Sequence, residues 1–97
     1  MSHHILIVDD QPELAAMIAD LLADAGYATR TAGDGRAALS EVQADPPDLL
    51  LLDVQMPELD GFEVATMLKA DPVTAAIPII MVSAHEGRGA RLIGLES

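Results

Sequence analysis

The sequence predicts an α/β fold, a doubly wound parallel sheet with helices on both faces, organised as one domain. Three observations lead there. Apolar runs at residues 5–8, 49–52 and 79–82 do not alternate with polar residues, the pattern of strands buried on both faces. The stretches between them repeat apolar residues at three- and four-residue steps, the pattern of amphipathic helices. Half of the 97 residues (51%) are hydrophobic, yet only Phe62 and Tyr27 are aromatic. The core is therefore aliphatic, as in parallel strands covered by helices.

Residues 5–8 form the first predicted strand. Pro12 then stands at a favoured first-turn position, and Leu14, Met17, Ile18, Leu21, Leu22 and Ala25 trace a first helix that Gly26 ends. Residues 27–31 alternate Tyr, Ala, Thr, Arg, Thr, which suits a half-exposed edge strand. Asp34 can cap a second helix carrying Ala38, Leu39 and Val42, which stops before Asp45-Pro46-Pro47 because residues preceding proline disfavour αR geometry. After the strand at 49–52, a third helix is predicted from about Gly61 to Ala70, halting before Pro72. Beyond the strand at 79–82, Leu92, Ile93 and Leu95 give a weaker, glycine-interrupted helical pattern over residues 86–95. The order βαβαβαβα implies right-handed crossovers.

Sixteen acidic residues against five basic ones give a net charge of −11, which would repel a phosphate backbone and offers no cationic stripe to nucleic acid or anionic lipid. The absence of cysteine removes disulfides, thiolate nucleophiles and Cys-based zinc sites. No apolar run approaches the roughly 20 residues a membrane span needs, and the start lacks a leader pattern, so a cytoplasmic protein is expected. His3 and His4 are neighbours in a strand and point to opposite faces, a poor arrangement for a metal pair.

Ligands of such sheets bind outside the carboxyl ends of the strands. Asp9 and Asp10 follow the first strand, Asp53 ends the third, and Ser83 and Ala84 follow the fourth, so all converge on one edge. Like charges about 5 Å apart repel by roughly 3 kcal/mol per pair at an effective dielectric near 20. A hard cation is the natural neutraliser, and Mg²⁺ favours a few carboxylate oxygens with waters and a phosphate. Asp53 is the best nucleophile, since a carboxylate can attack phosphorus without a separate base. The backbone carbonyl of Gln55 can add a metal ligand, and the Ser83 hydroxyl can bond a new phosphoryl oxygen. Met56-Pro57-Glu58-Leu59-Asp60-Gly61 shapes a tight loop after Asp53.

Taken together, ILIVDDQPE, LLLDVQMPELDG and IPIIMVSA resemble the receiver domain of two-component response regulators, the CheY-like family, over essentially the whole chain. The resemblance implies a flavodoxin-like sheet in the order 2-1-3-4. It also implies Asp53 as phosphoacceptor, Mg²⁺ held by Asp9, Asp10, Asp53 and the Gln55 carbonyl, and Ser83, followed by Ala84, as the phosphoryl-binding switch. Implied partners are a sensor histidine kinase or phosphotransfer protein as donor and an effector or output domain as reader. The tail EGRGARLIGLES resembles receivers that precede diguanylate cyclase domains.

The chain departs from the family pattern after residue 85. A fifth strand bearing a lysine, and a fifth helix, are not found before Ser97, so residues 1–97 are read as a receiver incomplete at its C-terminus. The sole lysine, Lys69, lies about 12 Å along the third helix at 1.5 Å per residue, too far to replace the missing one. Arg88 and Arg91 read as solvated surface residues, and His85 as a loop residue. An unpaired fourth strand would be a template for another chain, so a homo-oligomer through that strand is expected. Two other readings stand beside phosphotransfer: a receiver-like interaction module that is not phosphorylated, and a metal-dependent phosphohydrolase, for which no dedicated acid or base is evident.

Overall fold

The computed structural model describes the backbone of residues 3–85 and 89–95 and the side chains of residues 3–82. In chain order the elements are β1 (His4–Val8), α1 (Pro12–Asp24), β2 (Ala28–Ala32), α2 (Gly35–Ala44), β3 (Leu49–Asp53), α3 (Gly61–Ala70), β4 (Ile79–His85) and β5 (Gly89–Leu95). They form one five-stranded sheet in the order β2-β1-β3-β4-β5. The first four strands pair in parallel, in the spatial order 2-1-3-4 that the sequence implied.

The uninterrupted apolar runs do face both ways. Leu6, Val8, Leu50, Leu52, Ile79 and Met81 pack under α2 and α3 with Ala38, Val42, Val64, Ala65 and Leu68. Ile5 and Ile7 face the other way and meet Ala15, Ile18 and Leu22 of α1, with Leu49 and Leu51 beside them. Each aliphatic side chain buried here contributes roughly 1.5–3 kcal/mol relative to exposure. Two helices, α2 and α3, cover the first face and one, α1, the second.

Local chemistry sets the helix ends. Pro12 opens α1, and Gly26, at φ 102°, takes the left-handed conformation that follows its end. The Asp34 carboxylate accepts from the Ala37 N–H at 2.7 Å and caps α2. Asp60 and Glu63 form a reciprocal capping box at the start of α3, with bonds of 2.9 and 3.0 Å, satisfying two backbone donors that a helix start leaves free. At its far end the buried Thr74 hydroxyl donates to the Leu68 carbonyl at 2.6 Å.

Two expectations are corrected after β4. Residues 89–95 are not helical: they form β5, antiparallel to β4 in a continuous register from Ile79↔Leu95 to His85↔Gly89. Residues 86–88 of the expected helix lie outside the described residues. Glycine costs a helix interior about 1 kcal/mol relative to alanine, and Gly89 and Gly94 fall within this stretch. The open edge of β4, by contrast, offers a row of backbone partners, so tertiary pairing overrides the weak helical spacing. For the same reason β4 is not the exposed edge expected to carry oligomerisation, because β5 covers it.

Candidate functional site

The carboxyl edge of the parallel strands gathers the predicted acids. Asp9 and Asp10 follow β1 directly, and Asp53 is the last residue of β3. Val8 pairs with Leu52, so the register brings the two strand ends level. One carboxylate oxygen from each of Asp9, Asp10 and Asp53 lies within 4.8 Å of the others. Asp9 is buried, Asp53 half-buried and Asp10 exposed. Together with Gln55, Leu14 and Pro57 they line a cavity of about 260 Å³.

Backbone N–H groups orient the two inner carboxylates. Gln11 N–H donates to Asp9 Oδ1 at 2.9 Å and Gln55 N–H to Asp53 Oδ1 at 3.2 Å. Burial nevertheless pushes the Asp53 carboxyl up to about 6; the Gln55 N–H pulls it down, and the charges of Asp9 and Asp10 add to the rise. Asp9 is raised as well, by burial first, with Asp10 adding and Gln11 opposing. At such separations two ionised carboxylates repel by about 3 kcal/mol at an effective dielectric near 20. The chemistry of this donor set, three oxygen anions at an open cavity, fits a hard divalent cation.

The loop from β3 to α3 fixes the site's floor. Gly61 N–H donates to the Val54 carbonyl at 3.0 Å, and a Cβ at Gly61 would stand 2.2 Å from the Asp53 carbonyl oxygen and 2.8 Å from Met81 Cε. Only glycine lets the start of α3 lie on the backbone of the third aspartate. Glu58 sits in the left-handed region at φ 68°, the bend that turns the loop towards the Asp60 cap. Met56 is 8% exposed and belongs to the core.

The remaining candidates separate. Gln55 lines the cavity. Ser83 and Ala84 lie on β4 just past Val82, which pairs with Asp53; their side chains, like those of His85 and Arg91, lie outside the described residues, as does Arg88 altogether. The Lys69 ammonium donates to the Ala75 and Ile77 carbonyls at 3.1 and 3.3 Å, ahead of the amino end of β4 and away from the acids. His4 Nε2 accepts from Arg30 Nε at 2.6 Å, and His3 Nδ1 is 3.8 Å from Asp48 Oδ2. Both histidines are at the opposite end of the sheet. Sequence reading missed the dependence of Asp53 on Gly61, although the Asp60-Gly61-Phe62-Glu63 sequence carried the capping-box signal.

A parallel sheet whose carboxyl edge collects aspartates from its two central strands defines a class: α/β domains with an acidic, cation-competent site at the end of the sheet. The chain belongs to the response regulator receiver domain family, whose profile matches residues 5–96. Response regulator PleD of Caulobacter vibrioides is 45% identical over 97 residues, all of this chain and 21% of that protein. DNA-binding response regulator MtrA of Mycolicibacterium smegmatis is 40% identical over all of this chain and 41% of that protein. Among solved structures, the N-terminal domain of a response regulator receiver protein from Methanoculleus marisnigri JR1 superimposes with a TM-score of 0.83 at 40% identity, covering 86% of this chain and 68% of that one. The chain thus spans about a fifth of the length of PleD. Among the described residues no helix is long and apolar enough to cross a membrane.

Proposed function

We propose that this chain is a phosphoacceptor module of two-component signalling that takes a phosphoryl group on Asp53. The observation that carries the reading is the meeting of Asp9, Asp10 and Asp53 within 4.8 Å at one strand edge. An Asp53 carboxylate oxygen attacks the donor phosphorus, the bond from phosphorus to the donor nitrogen or oxygen breaks, and its electron pair leaves with the donor. The product is an acyl phosphate. Asp9, Asp10, Asp53 and the Gln55 carbonyl would hold Mg²⁺, which when bound screens the repulsion between the aspartates and the incoming phosphoryl oxygens.

Gln55 N–H keeps the Asp53 carboxylate oriented, and the cavity leaves room for a donor group beside it. The Ser83 hydroxyl, with Ala84 next to it, donates a hydrogen bond to an oxygen of the phosphoryl group on Asp53 and passes its arrival to the chain beyond β4. The donor is a sensor histidine kinase or phosphotransfer protein, the reader a fused or separate effector, and the compartment the cytoplasm. Slow hydrolysis of the acyl phosphate resets the module; it is an acceptor rather than an enzyme acting on an external metabolite.

A second reading has its own observation. Lys69 is held by two carbonyls away from the acids, so among the described residues no ammonium stands beside Asp53. That favours a receiver-like interaction module that is not phosphorylated. Intact mass after incubation with Mg²⁺ and acetyl phosphate separates the two. A gain of one phosphoryl group that disappears in Asp53→Asn supports the acceptor; no gain in a folded sample supports the interaction module.

A further inference from the structure

The three helices do not begin alike. α2 and α3 each start behind an aspartate whose carboxylate accepts a backbone N–H of the first turn, Asp34 from Ala37 at 2.7 Å and Asp60 from Glu63 at 2.9 Å. The cap of α1 is Gln11, whose side chain makes no capping bond. Aspartate is among the best N-caps, and Asp10 stands one residue earlier, yet α1 does not use it.

Pro12 accounts for the difference. For Asp10 to cap, Gln11 would have to take helical angles as the first residue of the helix. The proline ring disfavours that geometry in the residue before it, and Gln11 is extended at φ −99° and ψ 103°. Proline also lacks an N–H, which removes one of the first-turn donors that an Asp10 cap would take. The extended Gln11 instead aims its own N–H at Asp9 Oδ1, 2.9 Å away, while its carbonyl accepts the first helical bond from Ala15 at 3.1 Å. Asp10 stays with Asp9 and Asp53, one oxygen of each lying within 4.8 Å of the others.

We infer that Pro12 is a positioning residue of the cation site: by fixing the start of α1 at residue 12, it holds Asp10 off the helix and keeps Asp9 oriented by Gln11. The inference rests on the reading of the three acids as a Mg²⁺ site. Replacing Pro12 by alanine frees Gln11 to turn helical and lengthens α1 by one residue. The Asp10 carboxylate then caps the N–H groups of residues 12 and 13, and the Gln11 N–H leaves Asp9. The helix gains what the site loses. A merely structural proline would instead lose stability on replacement and leave cation affinity alone.

The test is titration of MgCl₂ into the 97-residue chain at constant ionic strength, followed by the backbone amide signals in NMR, with urea midpoints in EDTA to verify folding. Pro12→Ala is expected to weaken Mg²⁺ binding about tenfold, the low end for losing a group that orients a metal ligand, with no loss of helical circular dichroism in EDTA. Pro72→Ala makes the same change just past the end of α3 that lies away from the acids, and is expected to leave the affinity unchanged. Gln11→Ser added to Pro12→Ala restores a strong cap at residue 11 and is expected to recover the affinity. Equal affinity in Pro12→Ala and the unaltered chain, an equal loss in Pro72→Ala, or a loss that Gln11→Ser leaves in place would each overturn the inference while the cation site stands. No Mg²⁺ binding by the folded, unaltered chain would overturn the site reading and the inference together.

Discussion

Replacing Gly61 by alanine tests whether the start of α3 positions Asp53. The added Cβ would sit 2.2 Å from the Asp53 carbonyl oxygen. Ordinary contact begins at 3.4 Å, so the helix start or the end of β3 must give by about 1.2 Å (3.4 minus 2.2). Overpacking of this kind costs about 1–3 kcal/mol, and alanine returns up to about 1 kcal/mol of helix propensity. Net destabilisation of about 1–2 kcal/mol follows, a fall in Tm of about 4–8 °C per kcal/mol for a domain this small. Gly33 is the internal control, since nothing lies within 4 Å of a Cβ there and its φ is not positive; Gly33→Ala should be neutral or stabilising by about 0.4–1 kcal/mol. Urea and thermal unfolding measure both, and the acetyl phosphate reaction should slow in Gly61→Ala alone. Equal midpoints for Gly61→Ala and the unaltered chain would refute the reasoning.

Three further outcomes are expected. Burial pushes the Asp53 carboxyl in the folded state up to about 6 from its ordinary value of 3.8, so the folded state holds its proton longer than the unfolded one. Its contribution to stability therefore falls as pH rises from about 4 to about 6 and is flat above. Urea midpoints in EDTA, compared between the unaltered chain and Asp53→Asn, should diverge over that window with the variant gaining; parallel curves would sink the idea. Asp60→Ala removes one half of the capping box and should cost about 0.5–2 kcal/mol of unfolding free energy, read by thermal denaturation. Glu58→Gly relieves a left-handed residue at φ 68° whose carboxylate is 3.9 Å from Arg36 with both side chains 79% exposed. It should raise the urea midpoint by an amount worth about 0.5–1 kcal/mol.

Much of this fold was legible because its strands are buried on both faces. Runs such as Leu49-Leu50-Leu51-Leu52 carry no period, and their shortness between turn-forming residues marks them as strands buried on both faces. Proline and glycine marked the helix ends correctly at Pro12, Gly26, Pro46 and Pro72. Residues 89–95 were misread because spacing reports a segment's own preference, whereas β5 exists through an edge that β4 presents to it. The Arg30 contacts were also out of reach. The arginine joins His4, Glu41 and Asp45, residues whose proximity follows only once β1, β2 and α2 have been assembled.

The acidic site was legible for a topological reason. In a parallel sheet every strand ends on the same edge, so an aspartate at the end of one central strand must meet those at the end of its neighbour. What sequence could not supply was the balance of forces there. Asp9, Asp10 and Asp53 are drawn together against mutual repulsion, and the raised Asp9 and Asp53 carboxyls record that strain alongside burial. The cohesion that tolerates it lies at the other end of the sheet. There Arg30 spans β1, β2 and α2 with bonds of 2.6, 2.5 and 2.6 Å, and the His4 N–H donates to Asp48 at 2.7 Å. Between the two ends run the fully buried Leu6, Leu50 and Leu52. A cation bound among the acids would therefore add stability by mass action without being needed to form the sheet. The charge state of the site can then change while the scaffold that holds it stays folded, which is the property a phosphoacceptor requires.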